Sequence, residues 1–290
     1  MSNLSKLSKV YLVGAGPGAA DLITVRGANL LAKADIVFHD ALVDSAMLEL
    51  CPQAIKEPVG KRCGKLSSAQ HFINKRLIDA AKKYRTIIRL KGGDPMMFGR
   101  ADEEIQALKN LGIEVEVVPG ITAALAGAAT IQQSLTLRGV SRSVAFITLA
   151  QGDENTSSPP DENSQPLVSP NADTLVYYMG RKDAKKIAEQ LISKNNSNHS
   201  RDTPIHILEA VSTKNERHWS STLGELAEGK ADDWFDRASP ALIMIGKALK
   251  ERSQTPSQMV SQDAELEHLG AKIDAGLQDS LILTNCRRSA

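Results

Sequence analysis

The sequence contains little cysteine, which limits two kinds of site. Three cysteines occur in 290 residues: Cys51, Cys63 and Cys286. Their number is odd, and none belongs to a Cys-x-x-Cys pair or to a Cys/His spacing typical of zinc ligands. The pattern predicts neither a disulfide framework nor a metal site, and it favours the reducing cytoplasm as the compartment.

An excess of charge and a long apolar run are also absent. The 35 basic and 34 acidic side chains leave a net charge of +1, which argues against a surface that coats nucleic acid or a membrane. No run of about 18 apolar residues occurs, and the start, MSNLSKLSKV, has no apolar signal-peptide core. These absences predict a cytoplasmic protein that binds neither nucleic acid nor membranes.

Short runs rich in valine and isoleucine alternate with longer helical patterns in the first part of the chain. The strand-like runs are KVYLVGAG, ADIVFHD, RTIIRLKGGD and IEVEVVPG. The stretches between them place apolar residues three and four positions apart, as on one face of a helix. Such alternation is typical of parallel β-α-β units, so the sequence predicts an α/β fold.

A break near Pro119 predicts two α/β lobes. We expect an N-terminal lobe over residues 8–119 and a C-terminal lobe over residues 120–251, which contains further strand-like runs such as SVAFITLA and TPIHILEAVS. Residues 151–172 are rich in Ser, Pro, Asn and Asp, which predicts a surface loop. The tail over residues 252–290 has weak amphipathicity and predicts either an added helix or disorder.

The stretch GAGPGAAD follows the first predicted strand and allows three interpretations. Gly14, Gly16 and Ala19 fit the relaxed dinucleotide fingerprint, and Asp40 lies where the ribose-binding acid is expected. That fingerprint requires a helix that begins within the glycine motif, and here Pro17 removes one N–H. The loop therefore binds a dinucleotide, binds another ligand, or is a turn without a ligand.

A second glycine pair ends another predicted strand. Gly92 and Gly93 let the backbone approach a ligand closely, Asp94 could anchor the loop or reach a ligand group, and Pro95 stiffens its exit. In open α/β sheets, ligands bind at this carboxyl edge. A phosphate beside an aspartate is unfavourable, so an adenosyl group that carries a positive sulfonium fits this loop better.

In these segments the sequence resembles the tetrapyrrole methylases, and among them the enzymes that act on uroporphyrinogen III. The likeness extends from Lys9 to Leu249 through eight motifs in the family's order. They are VYLVGAGPGAADLITVRG, ADIVFHDALV, VGKRCG, LKGGDPMMFGRADEE, VVPGITAA, LTLRGVSRSVAFIT, VYYMGRKDAKKIAEQLI and SPALIMIGKAL. The resemblance implies two α/β lobes with a cofactor cleft between them, a homodimer, and S-adenosylmethionine as cofactor, with S-adenosylhomocysteine as its product.

The resemblance also implies roles for individual residues. Asp40 matches the family's proton acceptor, and Lys61 matches its proton donor. A carboxylate there can stabilise or accept the positive charge that a pyrrole carbon acquires on methylation. The implied cofactor contacts are Pro17, Gly92, Gly93, Asp94, Met97, Thr122, Ala123, Met179 and, through its backbone, Val211, where the family usually has glycine.

The implied substrate is a tetrapyrrole with eight carboxylates, which a nearly neutral protein can bind only with locally grouped bases. Arg62, Arg100 and Arg138 fall within the matched motifs and can grip carboxylates with paired hydrogen bonds. Two positions depart from the family's pattern, since Ala41 replaces an arginine and Leu137 replaces a histidine. Each replacement removes a polar group from the implied substrate side.

The resemblance implies methylation of uroporphyrinogen III at C2 and C7, which gives precorrin-2 for sirohaem or cobalamin biosynthesis. Two alternatives keep the cofactor: a methylase of another acceptor, such as a corrin intermediate, and a catalytically impaired protein that retains the cofactor pocket. A third alternative, a dinucleotide-dependent oxidoreductase, depends only on Gly14, Gly16, Ala19 and Asp40.

Overall fold

A computed structural model gives the fold of most of the chain. It describes residues 8–59, 66–149, 170–193 and 198–250. Three features predicted from the sequence lie outside the described residues: Lys61 and Arg62, most of the loop over 151–172, and the tail over 252–290. Within the described ranges, no helix combines the length and the apolar character needed to cross a membrane.

The first half of the chain forms a sheet of five strands, all of them parallel, in the order β3-β2-β4-β1-β5. The strands are β1 (Lys9–Gly14), β2 (Ile36–His39), β3 (Ile55–Pro58), β4 (Thr86–Lys91) and β5 (Glu114–Val118). The helices between them are α1 (Val25–Leu31), α2 (Ser45–Leu48), α3 (Leu66–Ala81) and α4 (Ala101–Lys109). The predicted alternation of strands and helices is confirmed.

The central strands of this sheet are apolar because both of their faces are covered. Leu12 and Ile87 pack in one cluster with residues of α3 and α4, whereas Val13 and Ile88 pack in another with Leu31 of α1. A parallel strand buried on both faces has a nearly continuous apolar run rather than an alternating one. The run VYLV of β1 fits this pattern.

The second half of the chain forms a mixed sheet in the order β6-β7-β10-β8-β9. Only β6 and β7 are parallel, and the other neighbouring pairs are antiparallel. The strands are β6 (Val144–Thr148), β7 (Thr174–Tyr178), β8 (Pro204–Glu209), β9 (Arg217–Thr222) and β10 (Ala241–Gly246), and the helices are α5 (Ala123–Thr130), α6 (Ala184–Ser193) and α7 (Leu223–Ala227). The two sheets are formed by residues on either side of Pro119, but the limits of the two lobes stay a prediction.

The edge strand β9 has no clear signal in the sequence. Its residues, RHWSST, are mostly polar, and among the described strands it pairs only with β8. A strand at a sheet edge with one solvated side needs no apolar run, so its pairing is decided by the neighbouring strand.

Three glycines bring the ends of β1, β4 and β5 into close backbone contact. A Cβ on Gly120 would lie 2.3 Å from the Gly93 oxygen, and a Cβ on Gly14 would lie 2.5 Å from the Gly120 Cα. Real Cβ atoms essentially never approach other atoms so closely. Only glycine therefore fits at Gly14 and Gly120, and this contact draws three loops together at one edge of the sheet.

This contact predicts that Gly120→Ala is destabilising. The new methyl group meets backbone atoms, which cannot rotate away, so we expect the free energy of unfolding to fall by at least about 2 kcal/mol. Urea unfolding followed by circular dichroism measures the change. Gly127→Ala is the control, because its Cβ would lie 3.5 Å or more from its neighbours and alanine favours the helix by up to about 1 kcal/mol. Equal stability of the two variants would contradict the prediction.

Candidate functional site

The two glycine segments predicted to bind a ligand lie side by side. Gly16 and Gly93 exchange two backbone hydrogen bonds, with N–O distances of 3.1 and 2.7 Å. The Ala15 N–H donates to the Lys91 carbonyl at 2.8 Å and continues the pairing of β1 with β4. Both Gly16 and Gly93 have positive φ, at 78° and 68°, a conformation that favours glycine. The loops after β1 and β4 therefore form one backbone surface.

The first helix begins well after the glycine motif. A short 3-10 turn over Ala20–Leu22 intervenes, and α1 starts at Val25 with Thr24 as its N-cap. The Thr24 hydroxyl accepts the Gly27 N–H at 3.2 Å. A dinucleotide site needs a helix N-terminus at the glycines, where its N–H groups point at the pyrophosphate. The geometry thus argues against the dinucleotide alternative.

Asp94 ties the loop after β4 to the loop after β5. One carboxylate oxygen accepts the Met96 N–H at 2.8 Å, and the other accepts the Gly120 N–H at the same distance. Of the two roles considered for this side chain, loop anchoring is the one that the described contacts show. Its predicted cofactor contact stays a prediction.

The loop after β5 is held in turn by the end of β7. Thr122 precedes α5, and its hydroxyl lies 2.6 Å from the Tyr178 hydroxyl, which also accepts the Ala124 N–H at 3.2 Å. The Tyr178 ring packs against Phe98 of the loop after β4, with ring centroids 5.0 Å apart. Burial raises the pKa of Tyr178 above its usual value, so the phenol stays protonated. Tyr178 was not among the site residues predicted from the sequence.

The glycine-rich loop also packs against the segment after β8. The Ala19 N–H donates to the Ser212 hydroxyl at 3.1 Å, and a Cβ on Gly18 would lie 2.8 Å from the Val211 oxygen. The residues on both sides of Val211, Ala210 and Ser212, have positive φ at 49° and 60°. Val211 itself is buried, so the side chain that it adds to the family's glycine is accommodated.

The predicted cofactor residues therefore lie on loops that contact one another. The loop after β4 contacts those after β1 and β5, the loop after β5 contacts the end of β7, and the segment after β8 contacts the loop after β1. The predicted residues on these segments are Pro17, Gly92, Gly93, Asp94, Met97, Thr122, Met179 and Val211, and Ala123 is the first residue of α5. Met179 has positive φ and is 55% exposed as a residue.

Asp40 stands at the same edge of the sheet, directly after β2. Its N–H donates to the Leu90 carbonyl at 3.3 Å, and its carboxylate Oδ1 accepts Nη2 of Arg89 at 2.5 Å. Leu42, in the same loop, would lie 3.6 Å from a Cβ on Gly92. The proposed proton acceptor is thus close to the second glycine pair. Lys61, the predicted proton donor, lies outside the described residues.

A buried cluster of charges lies behind Asp40. Glu104 of α4 accepts three hydrogen bonds on Oε1, from Arg89 Nε at 3.2 Å, Lys91 Nζ at 3.0 Å and Gln70 Nε2 at 3.1 Å. Burial lowers the pKa of Lys91, and the Arg89 guanidinium acts in the same direction while Glu104 opposes it. This cluster was not predicted from the sequence, although two cationic residues within the buried strand TIIRLK are a signal that could have revealed it.

The predicted substrate arginines have different surroundings. Arg100 forms a paired ionic contact with Glu103, with Nε–Oε1 and Nη2–Oε2 distances of 2.6 and 2.8 Å. Arg138 is exposed in a turn that is closed by hydrogen bonds between Leu137 and Ser141. Arg62 lies outside the described residues. The described contacts do not bring Arg100 and Arg138 together, and substrate binding by all three stays a prediction.

The family follows from comparison with known proteins. The family model of the tetrapyrrole (corrin/porphyrin) methylases matches residues 9–227. The chain belongs to this family. The family and the α/β fold expected from the sequence motifs are therefore confirmed, whereas the cofactor cleft between two lobes stays a prediction.

Three relatives within this family are similar over most of the chain. A uroporphyrinogen-III C-methyltransferase of Pseudomonas aeruginosa is 38% identical, over 86% of this chain and 97% of that protein. A sirohaem synthase of Pseudomonas fluorescens is 41% identical over 85% of this chain, but the chain spans only 51% of that protein. A uroporphyrin-III C-methyltransferase structure from Thermus thermophilus, complexed with S-adenosylhomocysteine, is 36% identical with a TM-score of 0.66, over 83% of this chain and 99% of that chain.

The geometry predicts that Asp94→Ala costs more stability than the similar change Asp44→Ala. Each aspartate accepts an N–H two residues further on, at 2.8 Å for Asp94 and 2.9 Å for Asp44, but only Asp94 also bonds a distant loop. We expect a loss of about 1 kcal/mol for Asp44→Ala and an additional 1–3 kcal/mol, roughly, for Asp94→Ala, because the Gly120 N–H loses its partner. Urea titration gives both values, and equal losses would show that the bond to Gly120 contributes nothing.

Proposed function

We propose that this chain transfers methyl groups from S-adenosylmethionine to C2 and C7 of uroporphyrinogen III, which gives precorrin-2 for sirohaem or cobalamin. The observation that carries the proposal is the position of Asp40, whose half-buried carboxylate lies at the sheet edge beside the Gly92–Gly93 loop. The similarity to the Pseudomonas aeruginosa enzyme over nearly its whole length supports the choice of acceptor. Because the chain spans half of the sirohaem synthase, the proposal covers methylation alone.

The residues at the loops fit S-adenosylmethionine. Gly92 leaves space on its Cβ side, where Leu42 is the only described residue at an ordinary contact distance. The partly exposed backbone of Gly93, the Thr122–Ala123 segment and the exposed Met179 lie on the surrounding loops. In this proposal the cofactor is held by Pro17, Gly92, Gly93, Asp94, Met97, Thr122, Ala123, Met179 and the Val211 backbone, and Asp94 also shapes its loop. When bound, the cofactor supplies an electrophilic methyl group on a sulfonium centre.

The chain's own contribution to such a transfer is mainly placement. Attack of an electron-rich carbon on a sulfonium methyl is an in-line displacement, and holding the two groups in line removes much of its entropic cost. The methylated pyrrole must then lose positive charge, and the Asp40 carboxylate can stabilise that charge or accept a proton. Lys61 is proposed as the proton donor, the role that the resemblance to the family implies.

Substrate carboxylates are proposed to bind Arg62, Arg100 and Arg138. Arg100 already has a carboxylate partner in Glu103, so a substrate group there must share or replace that contact. Arg138 is exposed and has no such constraint from the described residues. We also propose that the protein is a homodimer in the cytoplasm, in line with the resemblance and with the cysteine pattern.

A second candidate function follows from Ala41 and Leu137. Ala41 lies directly after Asp40, and the family's arginine there would place a cation beside the carboxylate. Without it, and without the family's histidine at Leu137, the site could accept a different tetrapyrrole, such as a corrin intermediate, or bind the cofactor with impaired turnover. An assay with uroporphyrinogen III separates these possibilities.

The proposal predicts that Asp40→Asn slows methyl transfer. Purified protein is incubated with uroporphyrinogen III and S-adenosylmethionine labelled in its methyl group, and incorporated label is counted. We expect the rate to fall by about 100-fold or more, as for loss of a general acid or base, with the Kd of S-adenosylhomocysteine changed less than about twofold. An unchanged rate removes Asp40 from the chemistry, and absence of label with the wild-type protein, despite cofactor binding, favours the second candidate.

Cofactor binding is tested separately at Gly92. Gly92→Ala places a methyl group where the fold has room, so we expect the thermal midpoint of the free protein to stay unchanged. The same methyl group intrudes on the cofactor's proposed position, and calorimetry should show the Kd of S-adenosylhomocysteine raised by about tenfold or more, or roughly 1.4 kcal/mol. Gly127→Ala, whose Cβ faces the core residues Leu208, Leu242 and Met244, is the control. Unchanged affinity in Gly92→Ala would place the cofactor elsewhere.

A further inference from the structure

Arg89 is a cation in the centre of a buried strand. Its side chain is only 2% exposed, and each of its three nitrogens has an acceptor. Nη2 donates to Asp40 Oδ1 at 2.5 Å, Nε to Glu104 Oε1 at 3.2 Å and Nη1 to the Leu90 carbonyl at 3.1 Å. Because the guanidinium is planar and rigid, these three bonds fix both its position and its orientation.

Glu104 holds Arg89 at Nε, whereas Asp40 accepts from Nη2. Glu104 has no exposed surface, and its Oε1 receives Arg89, Lys91 and Gln70. Its second oxygen, Oε2, is buried and has no hydrogen-bond partner among the described residues. Arg89, Lys91 and Glu104 together carry one net positive charge when all are ionised, and the Asp40 carboxylate balances it.

Stability alone is a poor explanation for these charges. The other inward residues of β4, such as Ile87, Ile88 and Leu90, are fully buried and apolar. An ion pair buried in such a strand is commonly no more stabilising than apolar residues of similar volume. Asp40, by contrast, is 30% exposed and lies at the edge where the ligand loops meet. The cluster therefore connects the interior with one carboxylate at the proposed site.

We propose that Arg89, held by Glu104, is a positioning residue that fixes the Asp40 carboxylate for the proposed methyl transfer. Arg89 occupies Oδ1 of Asp40 and leaves Oδ2 for the methylated pyrrole. Arg89 does not touch the substrate, so it acts through Asp40 alone. The inference rests on the proposed role of Asp40.

A double-mutant cycle with Asp40→Asn and Arg89→Lys tests this inference. Lysine keeps the positive charge but cannot make three fixed bonds in one plane. We expect Arg89→Lys to lower kcat for methyl transfer by about tenfold or more, since small misplacements of a reacting group are costly. The KM for S-adenosylmethionine and the Kd of S-adenosylhomocysteine should change less than about twofold. In the Asp40→Asn protein, the same substitution should lower kcat by less than about twofold, because groups that act together are not additive.

A merely structural role gives a different result. Loss of folded protein would lower kcat by the same factor in both backgrounds, and that result would overturn the inference. Arg201→Lys is the matched control, since Arg201 forms an exposed ion pair with Glu228 at the same 2.5 Å distance. We expect this control to leave kcat unchanged. If Arg89→Lys does not fold, Glu104→Gln, which keeps an acceptor oxygen but loses the charge, takes its place in the cycle and is interpreted in the same way.

The outcomes separate this inference from the proposed function. If the wild-type protein transfers no methyl group to uroporphyrinogen III, the proposed function fails, and the role of Arg89 fails with it. If Asp40→Asn keeps the wild-type rate, Asp40 has no role for Arg89 to support, and the inference is again overturned. If the wild-type protein is active, Asp40→Asn is slow and the cycle is additive, the proposed function stands and only the inference about Arg89 fails.

Discussion

The contact of three glycine backbones at the ends of β1, β4 and β5 is the constraint on which the candidate site depends. Gly14 and Gly120 leave no room for a Cβ against each other or against the Gly93 carbonyl oxygen, so three loops meet at one edge of the sheet. The Gly16–Gly93 pairing and the Asp94–Gly120 bond then fix the directions in which the loops leave that contact. The result is a backbone surface on which Gly93 and Gly120 are partly exposed, which suits a ligand that needs close approach more than many side-chain contacts.

Backbone strain is concentrated in the loops around this surface. Six described residues other than glycine have positive φ, and all but Gln132 lie in the loops after β4, β7 and β8: Phe98, Arg100, Met179, Ala210 and Ser212. Such conformations cost about 1–3 kcal/mol each and persist only where surrounding contacts enforce them. Here the Phe98–Tyr178 ring contact and the Ser212–Ala19 bond are two such contacts. The site is therefore held in shape by contacts between loops rather than by the loops' own preferences.

The buried charges near the candidate site also lie on a few neighbouring residues. The whole chain is almost neutral, yet β4 carries Arg89 and Lys91 into the interior opposite Glu104. Because water is excluded from the interior, burying such a cluster costs free energy. The exclusion of water also makes the cluster's electrostatic effect on a neighbouring group stronger than at the surface. Asp40, with one oxygen on Arg89 and its side chain partly exposed, is the group on which that effect acts.

The sequence by itself determined the glycine loops, the family and, except for β3 (Ile55–Pro58), the strands of the first sheet. These are local features, because an apolar run, a glycine in a strained turn or a motif can be recognised without knowing what lies opposite. The tertiary structure decided that Glu104 meets Arg89, that Tyr178 meets Thr122 and that Asp94 bonds Gly120. These partners are 15 to 56 residues apart in sequence. The periodicity and spacing of residues in the sequence do not predict such contacts, since the contacts arise only when packing brings separate elements to the same place.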